Sequence, residues 1–217
     1  MKLELQYLSL QYNGKPPLFQ NVNLTVNPGE FIVIHGPSGI GKSSLLRLLN
    51  RLQEPTSGTI LIDDKPVDEH DVTHLRRRIG YVQQTPIAIE GTVRDNLCLP
   101  YTFKAASRES SPDDHVLREK LDAYLLTDVQ LDDNATELSV GQKQRIALIR
   151  ILLVAPNLLI CDEPTSALDP ESKAVVEREL ERINRETQTS VILITHFAFK
   201  PENMTPLTYT LTPEGLQ

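Results

Sequence analysis

Three short runs along the chain are continuously apolar rather than alternating, and they lie at 31–34, 158–161 and 191–194. A strand shows continuous apolarity when both of its faces are covered, as in a parallel sheet flanked by helices. The second run leads into Asp162 and Glu163, and the third leads into Thr195 and His196. Because ligands of open α/β sheets bind beyond the carboxyl ends of the strands, we expect these ends to converge on one site.

Helical periodicity marks much of the chain between these strands. The patterns at 42–52 and 142–155 predict helices, and Pro156 is expected to end the second one. A third helix is predicted to begin after Asp169, which has the character of an N-cap residue followed by Pro170 at the first helical position. Strands alternating with helices predict an α/β fold with a parallel sheet at its centre.

The stretch 85–138 differs from its surroundings because it holds no long apolar run, only helical patterns near 93–97 and 115–126. It is predicted to be a small helical insertion in the sheet domain. We therefore predict a single domain over the whole 217-residue chain. In it, residues 1–84 and 139–217 form the sheet-containing core, and about 85–138 form a helical subdomain.

Composition narrows the class of protein. A formal net charge of −7 argues against broad nucleic-acid binding, for which a basic face is expected. The one basic run, Arg76-Arg77-Arg78, is either a solvated edge or a docking patch. Cys98 and Cys161 are too few for a disulfide framework or a zinc site, so a reduced, cytosolic compartment is expected. No segment approaches 18 consecutive apolar residues, so any membrane connection is expected to come through a partner.

The N-terminus and one polar stretch also carry signals in the sequence. Residues 1–5 alternate like a strand and lack the apolar core of a signal peptide. The polar stretch 104–114, rich in serine, is the best candidate for an exposed linker.

The most specific chemical signal follows the first apolar run. It is the phosphate-loop pattern G-x-x-x-x-G-K-[ST], here Gly36-Pro37-Ser38-Gly39-Ile40-Gly41-Lys42-Ser43. A strand before it and a helix after it are the context that this pattern requires. Glycines allow main-chain N–H groups at a helix N-terminus to face an anion. A glycine-rich turn without a ligand is the alternative.

Within this loop, two side chains have their own predicted tasks. Lys42 supplies a point charge for the β- and γ-phosphates, and Ser43 supplies a hydroxyl for Mg²⁺. The next residue, Ser44, is included among the predicted nucleotide-binding residues. The loop therefore predicts ATP with Mg²⁺ as the ligand.

Taken in chain order, the motifs resemble those of the nucleotide-binding domain of ABC transporters from end to end of the chain. After the phosphate loop they are Ile79-Gly80-Tyr81-Val82-Gln83-Gln84, Leu138-Ser139-Val140-Gly141-Gln142, Leu159-Ile160-Cys161-Asp162-Glu163-Pro164, Ser166-Ala167-Leu168-Asp169 and His196. The resemblance implies a P-loop NTPase fold with a parallel-sheet core, an N-terminal antiparallel β subdomain and a small helical subdomain. It also implies ATP hydrolysis coupled to transmembrane transport.

The resemblance implies a magnesium site. Asp162 would hold Mg²⁺ through water, which suits a hard cation that keeps several waters. Gln84 corresponds to the glutamine that reaches the metal and the attacking water, and Gln83 takes the preceding position. Together with the hydroxyl of Ser43, these residues form the expected metal set.

Three further residues gain roles from the resemblance. Glu163 would polarise the attacking water as general base, although a carboxylate that only tunes Asp162 is the alternative. His196 would contact the γ-phosphate and stabilise developing charge, whereas a lone histidine is more often structural. Tyr12 corresponds to the aromatic residue that stacks on adenine, and a surface strand residue is the alternative.

The signature segment, residues 138–142, is expected to open a helix and to meet the ATP bound by a second subunit. Ser139, the N–H of Gly141 and Gln142 would contact that nucleotide in trans. Two ATP molecules would then lie in a head-to-tail pair, expected to be a homodimer when ATP is bound. Asp169 would lie at the same interface, although helix capping explains it equally well. Val140 departs from the usual glycine, and it restricts the backbone only if a positive φ is needed.

The resemblance also implies a partner and a location. A multi-span membrane permease would dock a cytoplasmic helix in a groove formed by the helical subdomain and the loop 85–96. The protein would thus be cytoplasmic and peripheral on the inner membrane's cytoplasmic face. The segment 84–97 resembles the Fet-type export ATPases associated with iron homeostasis, while small importer or lipid-export ATPases stay open.

Two other classes of function are weighed against transport. An ABC ATPase acting on DNA or ribosomes usually carries long coiled-coil insertions, two nucleotide domains or zinc modules. This chain has a short gap between Gln84 and Ser139, one phosphate loop and an acidic composition. A P-loop small-molecule kinase or a GTP switch would leave the signature segment and His196 unexplained.

Overall fold

The structure is a computed structural model that describes residues 1–103, 110–196 and 198–217. Residues 104–109 of the predicted linker lie outside this described part. The strands of the described residues are β1 (Leu3–Gln11), β2 (Pro17–Val26), β3 (Phe31–His35), β4 (Ser57–Ile62), β5 (Lys65–Pro66), β6 (Ile79–Val82), β7 (Leu158–Asp162), β8 (Ser190–Ile194), β9 (Leu207–Thr212) and β10 (Gly215–Leu216).

The helices are α1 (Lys42–Leu49), α2 (Val72–Arg78), α3 (Val93–Cys98), α4 (Asp114–Ala123), α5 (Val140–Leu152) and α6 (Pro170–Thr187), with short 3₁₀ turns at Val67–Glu69, Leu99–Thr102 and Ala135–Glu137. None of the helices in the described ranges combines the length and the apolar character needed to cross a bilayer.

The strands form two sheets. The N-terminal sheet is antiparallel, with the order β2-β1-β4-β5, as the resemblance implied. The second sheet has the order β10-β9-β3-β8-β7-β6. All of its neighbouring strands are parallel except the β10–β9 pair at one edge. The three apolar runs of the sequence are therefore the adjacent central strands β3, β8 and β7.

Both faces of these central strands are buried, which explains their continuous apolarity. Alternate residues such as Ile32 and Ile160 join a core shared with the antiparallel sheet and α1. Their neighbours Val33 and Leu159 join a second core with residues of α3, α4, α5 and α6. Cys161 belongs to this second core and is fully buried.

Between residues 85 and 138, the described residues form helices and 3₁₀ turns but no strand, apart from an isolated bridge between Thr92 and Asn134. The start of α3 is fixed by a capping box between Thr92 and Asp95. The buried side chain of Asn96 accepts from the Ile89 N–H and donates to the carbonyls of Ile89 and Thr92. The loop before α3 is thereby tied to the helix, while the exact subdomain boundary stays a prediction.

Two predicted helices differ at their ends. The helix predicted at 42–52 ends at Leu49, because Asn50 is its C-cap and Arg51 adopts a left-handed backbone with φ 54°. The helix predicted at 142–155 begins earlier, after the N-cap Ser139, and ends at Leu152. Ala155 has φ 44°, so the chain has already left the helix before Pro156.

The basic triplet closes α2 and makes defined contacts. Arg76 donates to the main-chain carbonyls of Asn50 and Arg51, beyond the end of α1. Arg78 forms an ion pair with Asp63 and donates to the side chain of Asn157. These two arginines therefore join α2 to neighbouring elements.

Candidate functional site

The phosphate loop, residues 36–43, connects β3 to α1. Gly41 is the N-cap of α1 and has φ 104°, a left-handed conformation that favours glycine. A Cβ atom there would also lie 3.1 Å from the side chain of Leu18 and 3.2 Å from that of Phe19. Backbone conformation and crowding thus both require glycine, and the free N–H groups of the first turn of α1 face the loop.

Lys42 lies inside this loop with only 6% of its surface exposed. Its Nζ donates to the carbonyl oxygens of Gly36 at 2.8 Å and of Pro37 at 3.0 Å. Burial lowers the pKa of Lys42, although the charges of Glu163 and Asp162 act in the opposite direction. The ammonium is therefore held where an anion on the loop would meet it.

A cavity of about 490 Å³ opens beside the loop. Most of the predicted site residues line it, together with two that were not predicted: Tyr12, Lys15, Leu18, Ser38, Gly39, Gly41, Lys42, Ser43, Ser44, Gln84, Glu163 and His196. Of the residues predicted to bind the nucleotide of their own chain, four others lie outside the lining. Gly36 and Pro37 hold Lys42 through their carbonyls, Ile40 packs against the core, and Asp162 is buried at the end of β7.

Glu163 stands where the ends of β7 and β8 meet. Its N–H donates to the carbonyl of Ile194 at 2.9 Å, and its backbone has φ 50°. One carboxylate oxygen lies 3.0 Å from Nε2 of His196. The other accepts from Nε2 of Gln84 at 3.4 Å. The predicted convergence of the strand ends is confirmed, while the catalytic roles of these residues stay predictions.

Asp162 has one engaged oxygen and one free oxygen. Oδ2 accepts from the hydroxyl of Tyr81 at 3.3 Å. Burial, followed by the charge of Asp162, raises the pKa of Tyr81 to about 12, so this hydroxyl stays a donor. Oδ1 is buried and has no hydrogen-bond partner among the described residues. An unpaired buried carboxylate oxygen needs a donor, and a metal-bound water would supply one.

The donor set beside Asp162 fits Mg²⁺ rather than a metal that needs several strong protein ligands. No group of three or more His, Cys, Asp or Glu side chains in the described ranges could hold a metal ion. Mg²⁺ takes one or two carboxylates and completes its shell with waters and phosphate oxygens. The free carboxylate oxygen of Asp162 and the hydroxyl of Ser43, which lines the cavity, are ligand types of this kind.

Tyr12 follows β1 at the mouth of the cavity and is 41% exposed. Its hydroxyl lies 3.2 Å from Oγ of Ser44 and donates to Gln53. The hydrogen bond with Ser44, followed by that with Gln53, lowers the pKa of Tyr12. Tyr12 is thus held at the edge of the cavity with its ring available, and the hydroxyl of Ser44 is engaged in holding it.

The signature segment opens α5 as predicted. Oγ of Ser139 accepts from the N–H of Gln142, and Oε1 of Gln142 accepts from the N–H of Ser139. Ser139, Gly141 and Gln142 are not among the described residues that line the cavity of their own chain. Val140 is the first residue of α5 and is 56% exposed, with no positive φ. The departure from glycine therefore leaves the backbone unstrained.

Asp169 has a direct structural contact. Its Oδ1 accepts from the N–H of Ser172 at 2.9 Å and so caps α6. Hydrogen bonds from Ser172 lower the pKa of Asp169. Capping is therefore observed, and the interface role stays a prediction.

Sequence reasoning missed three contributors to this region. Lys15 and Leu18 flank the β1–β2 turn and reach the cavity only because the antiparallel sheet lies against the phosphate loop. Tyr81 gave a weak signal, since a polar hydroxyl in the short apolar stretch before Gln84 calls for a buried partner.

Comparison with known proteins adds the family. The family whose sequence model matches residues 19–166, more than half of the chain, is described as "ABC transporter". The "Probable iron export ATP-binding protein FetA" of Escherichia coli K12 is 39% identical over 183 residues, which cover 84% of this chain and 80% of the relative. The "Methionine import ATP-binding protein MetN 1" of Pseudomonas fluorescens is 42% identical over 188 residues, but these cover 83% of this chain and only 54% of the relative.

Among solved structures, the dimeric post-hydrolysis state of the ATP-binding cassette MJ0796, bound to ADP and Pi, superposes with a TM-score of 0.81 and 28% identity. The superposition covers 99% of this chain and 96% of that one.

Proposed function

Because the chain belongs to the ABC transporter family and is an ATP-binding ATPase within it, we propose that two copies close around two ATP molecules and drive a separate membrane permease. One observation carries this proposal. The cavity holds the phosphate loop, Gln84, Glu163 and His196, whereas the signature segment opens a helix elsewhere on the same chain. A second copy supplies what the cavity lacks.

ATP binds with its phosphates on the loop that precedes α1. The N–H groups of the loop and of the first turn of α1 face the phosphate oxygens, and the buried ammonium of Lys42 lies beside them. Tyr12 stacks on the adenine at the edge of the cavity. From the second copy, Ser139, the N–H of Gly141 and Gln142 cover the phosphates.

Hydrolysis depends on the groups at the strand ends. Glu163 accepts a proton from the attacking water, and its contacts with His196 and Gln84 orient its carboxylate. His196 reaches the γ-phosphate and stabilises the charge that develops there. The free oxygen of Asp162, through a water, and the hydroxyl of Ser43 would hold Mg²⁺, which would offset phosphate charge.

Transport requires a partner that crosses the membrane. We assign this role to a multi-span permease whose cytoplasmic helix docks in a groove. The helical subdomain, about 85–138, forms this groove together with the loop 85–96 at its start. Closing of the pair on ATP and reopening after hydrolysis would rock the permease. The protein would thus sit on the cytoplasmic face of the inner membrane, and nucleic acid would not be its partner.

For the transported substrate, we propose that the transporter exports iron. This proposal is supported by the segment 84–97 and by the relative whose printed name is an iron-export ATP-binding protein. A relative named for methionine import has similar identity, so the permease rather than this chain selects the cargo. Transport of iron and of methionine by membrane vesicles, with this protein added to its proposed permease, separates the two cargoes.

The variant Glu163→Gln tests the proposed function directly. It keeps the shape of the side chain and one acceptor oxygen but removes the base, so kcat should fall by about 10²-fold or more. ATP binding should persist and trap a stable pair, visible by size-exclusion chromatography with light scattering. Glu119→Gln, the same exchange at an exposed position of α4, serves as the control. Wild-type turnover by Glu163→Gln, or no pair in ATP, would contradict the proposal.

A further inference from the structure

The segment that carries Gln84 is fixed to helix α5 at two points. Gln144 of α5 donates from Nε2 to the main-chain carbonyl of Gln83 at 3.1 Å. Arg150, further along the same helix, donates from Nη2 to the carbonyl of Ile87 at 3.2 Å. These bonds lie on both sides of Gln84. The Gln84 segment, residues 83–87, is therefore held by the helix that begins at the signature segment.

Close packing brings α5 to the strand that leads into this segment. A Cβ atom on Gly80 of β6 would lie 2.4 Å from Cγ2 of Ile151 on α5. Only a glycine allows this approach, so α5 lies directly on β6. The side chain of Gln144 points into the same layer, where it is 2% exposed.

Packing alone does not explain why residue 144 is a glutamine. Its Oε1 is buried without a hydrogen-bond partner among the described residues, while its Nε2 donates to Gln83. A flipped amide would place two oxygens face to face, so the carbonyl of Gln83 decides the orientation. An apolar side chain of similar length would fill the space without burying an unpaired acceptor. The bond to Gln83 is thus the feature that distinguishes glutamine here.

We propose that Gln144 is a positioning residue for ATP hydrolysis, which holds Gln84 against Glu163 and links it to the helix that meets the partner's nucleotide. The inference rests on the proposed function, because it assigns Gln84 a part in hydrolysis and the signature segment a contact in trans. When the N-terminal end of α5 docks on the second copy's ATP, the Gln84 segment moves with the helix. Hydrolysis thereby depends on docking.

Gln144→Met tests this role, because methionine keeps the length and loses the donor. The kcat for ATP should fall about tenfold, the size expected for one hydrogen bond, while the KM for ATP stays within about twofold. The unchanged KM follows because Gln144 does not line the cavity. Gln130→Met, the same exchange at an exposed position, should leave both constants unchanged. Titration with nucleotide counts the folded, binding-competent fraction.

A double-mutant cycle separates positioning from a merely structural role. On a Gln84→Ala background, Gln144→Met should lower kcat by less than about twofold further. The same tenfold loss with and without Gln84 would overturn the inference. Arg150→Met removes the other attachment and should show the same dependence on Gln84, which provides a second variant if Gln144→Met fails to fold. Wild-type kcat in Gln84→Ala would instead contradict the proposed function.

Discussion

At the scale of single residues, Lys42 combines burial with a full positive charge. Its ammonium is held by two main-chain carbonyls of the loop and has little contact with water. Two carbonyl oxygens accept from this ammonium, and the charges of Glu163 and Asp162 offset part of its charge. Phosphate oxygens would accept from the remaining donor and offset the charge further. Two predictions follow from this environment.

Lys42→Ala should weaken ATP binding by about a hundredfold or more, since charge-assisted hydrogen bonds to the phosphates are lost. Equilibrium binding of a fluorescent ATP analogue measures the change. Lys65→Ala, on the short strand β5, removes a lysine from the surface and should bind ATP as the wild type does. Unchanged affinity in Lys42→Ala would remove the phosphate loop from the binding site.

ATP binding at alkaline pH should be accompanied by proton uptake at Lys42. Burial lowers the pKa of this group below the usual 10.5, so part of it is neutral in the free protein at about pH 9.5. The phosphates favour the ammonium and raise its pKa, so binding takes up a proton there but none near neutrality. Calorimetry in buffers of different ionisation enthalpy measures the uptake. Lys42→Arg should abolish it, because a guanidinium stays charged in both states.

At the scale of elements, the contact between α5 and β6 depends on Gly80. Gly80→Ala would place a methyl group 2.4 Å from Cγ2 of Ile151 and should destabilise the fold by about 1–3 kcal/mol. Denaturant unfolding measures the loss. Adding Ile151→Ala creates the missing space, so the double variant should lose less than the sum of the single changes. A strictly additive loss would show that the helix is not seated on this strand.

The central strands were predictable because burial on both faces leaves a continuous apolar run. Helix starts were also predictable where a capping residue is strong, as at Asp169. Helix ends were not, because the left-handed backbone of Arg51 and Ala155 has no marker in their side chains. Strands β9 and β10 at one end of the sheet were missed, since they are short and partly exposed.

In the site, the motif residues were predictable from the sequence, but the residues that hold them in place were not. The lining contains most of the residues that were predicted to act on the nucleotide of their own chain, because their motifs lie at strand ends that the sheet brings together. Lys15 enters from a different sheet, and the bond from Gln144 to Gln83 joins residues 61 positions apart. Such contacts depend on how elements pack, and single-sequence periodicity carries no information about them.

At the scale of the whole molecule, the pairing of two copies predicts that two defective variants can restore each other's activity. A mixture of Lys42→Ala and Ser139→Ala should hydrolyse ATP, although each variant alone should be inactive. The mixed pair keeps one complete site, with the phosphate loop of one copy and the signature segment of the other. ATPase assays across mixing ratios measure the recovery.

The matched control for mixing uses two changes on the same side of the site. Lys42→Ala with Glu163→Gln leaves both sites of a mixed pair defective, so no activity should return. No recovery in the first mixture would mean that Ser139 acts on the nucleotide of its own chain. Recovery in this control would mean that Lys42 and Glu163 do not act on the same nucleotide.

The left-handed backbone at Glu163 creates a conflict between thermal stability and ATP hydrolysis. An L-residue is disfavoured at φ 50°, and glycine is not. Glu163→Gly and Glu163→Ala lose the same side-chain contacts, so the glycine variant should melt at the higher temperature in a thermal scan. Among variants that lack the carboxylate, selection for thermal resistance alone should therefore favour glycine at this position, although such proteins should no longer hydrolyse ATP.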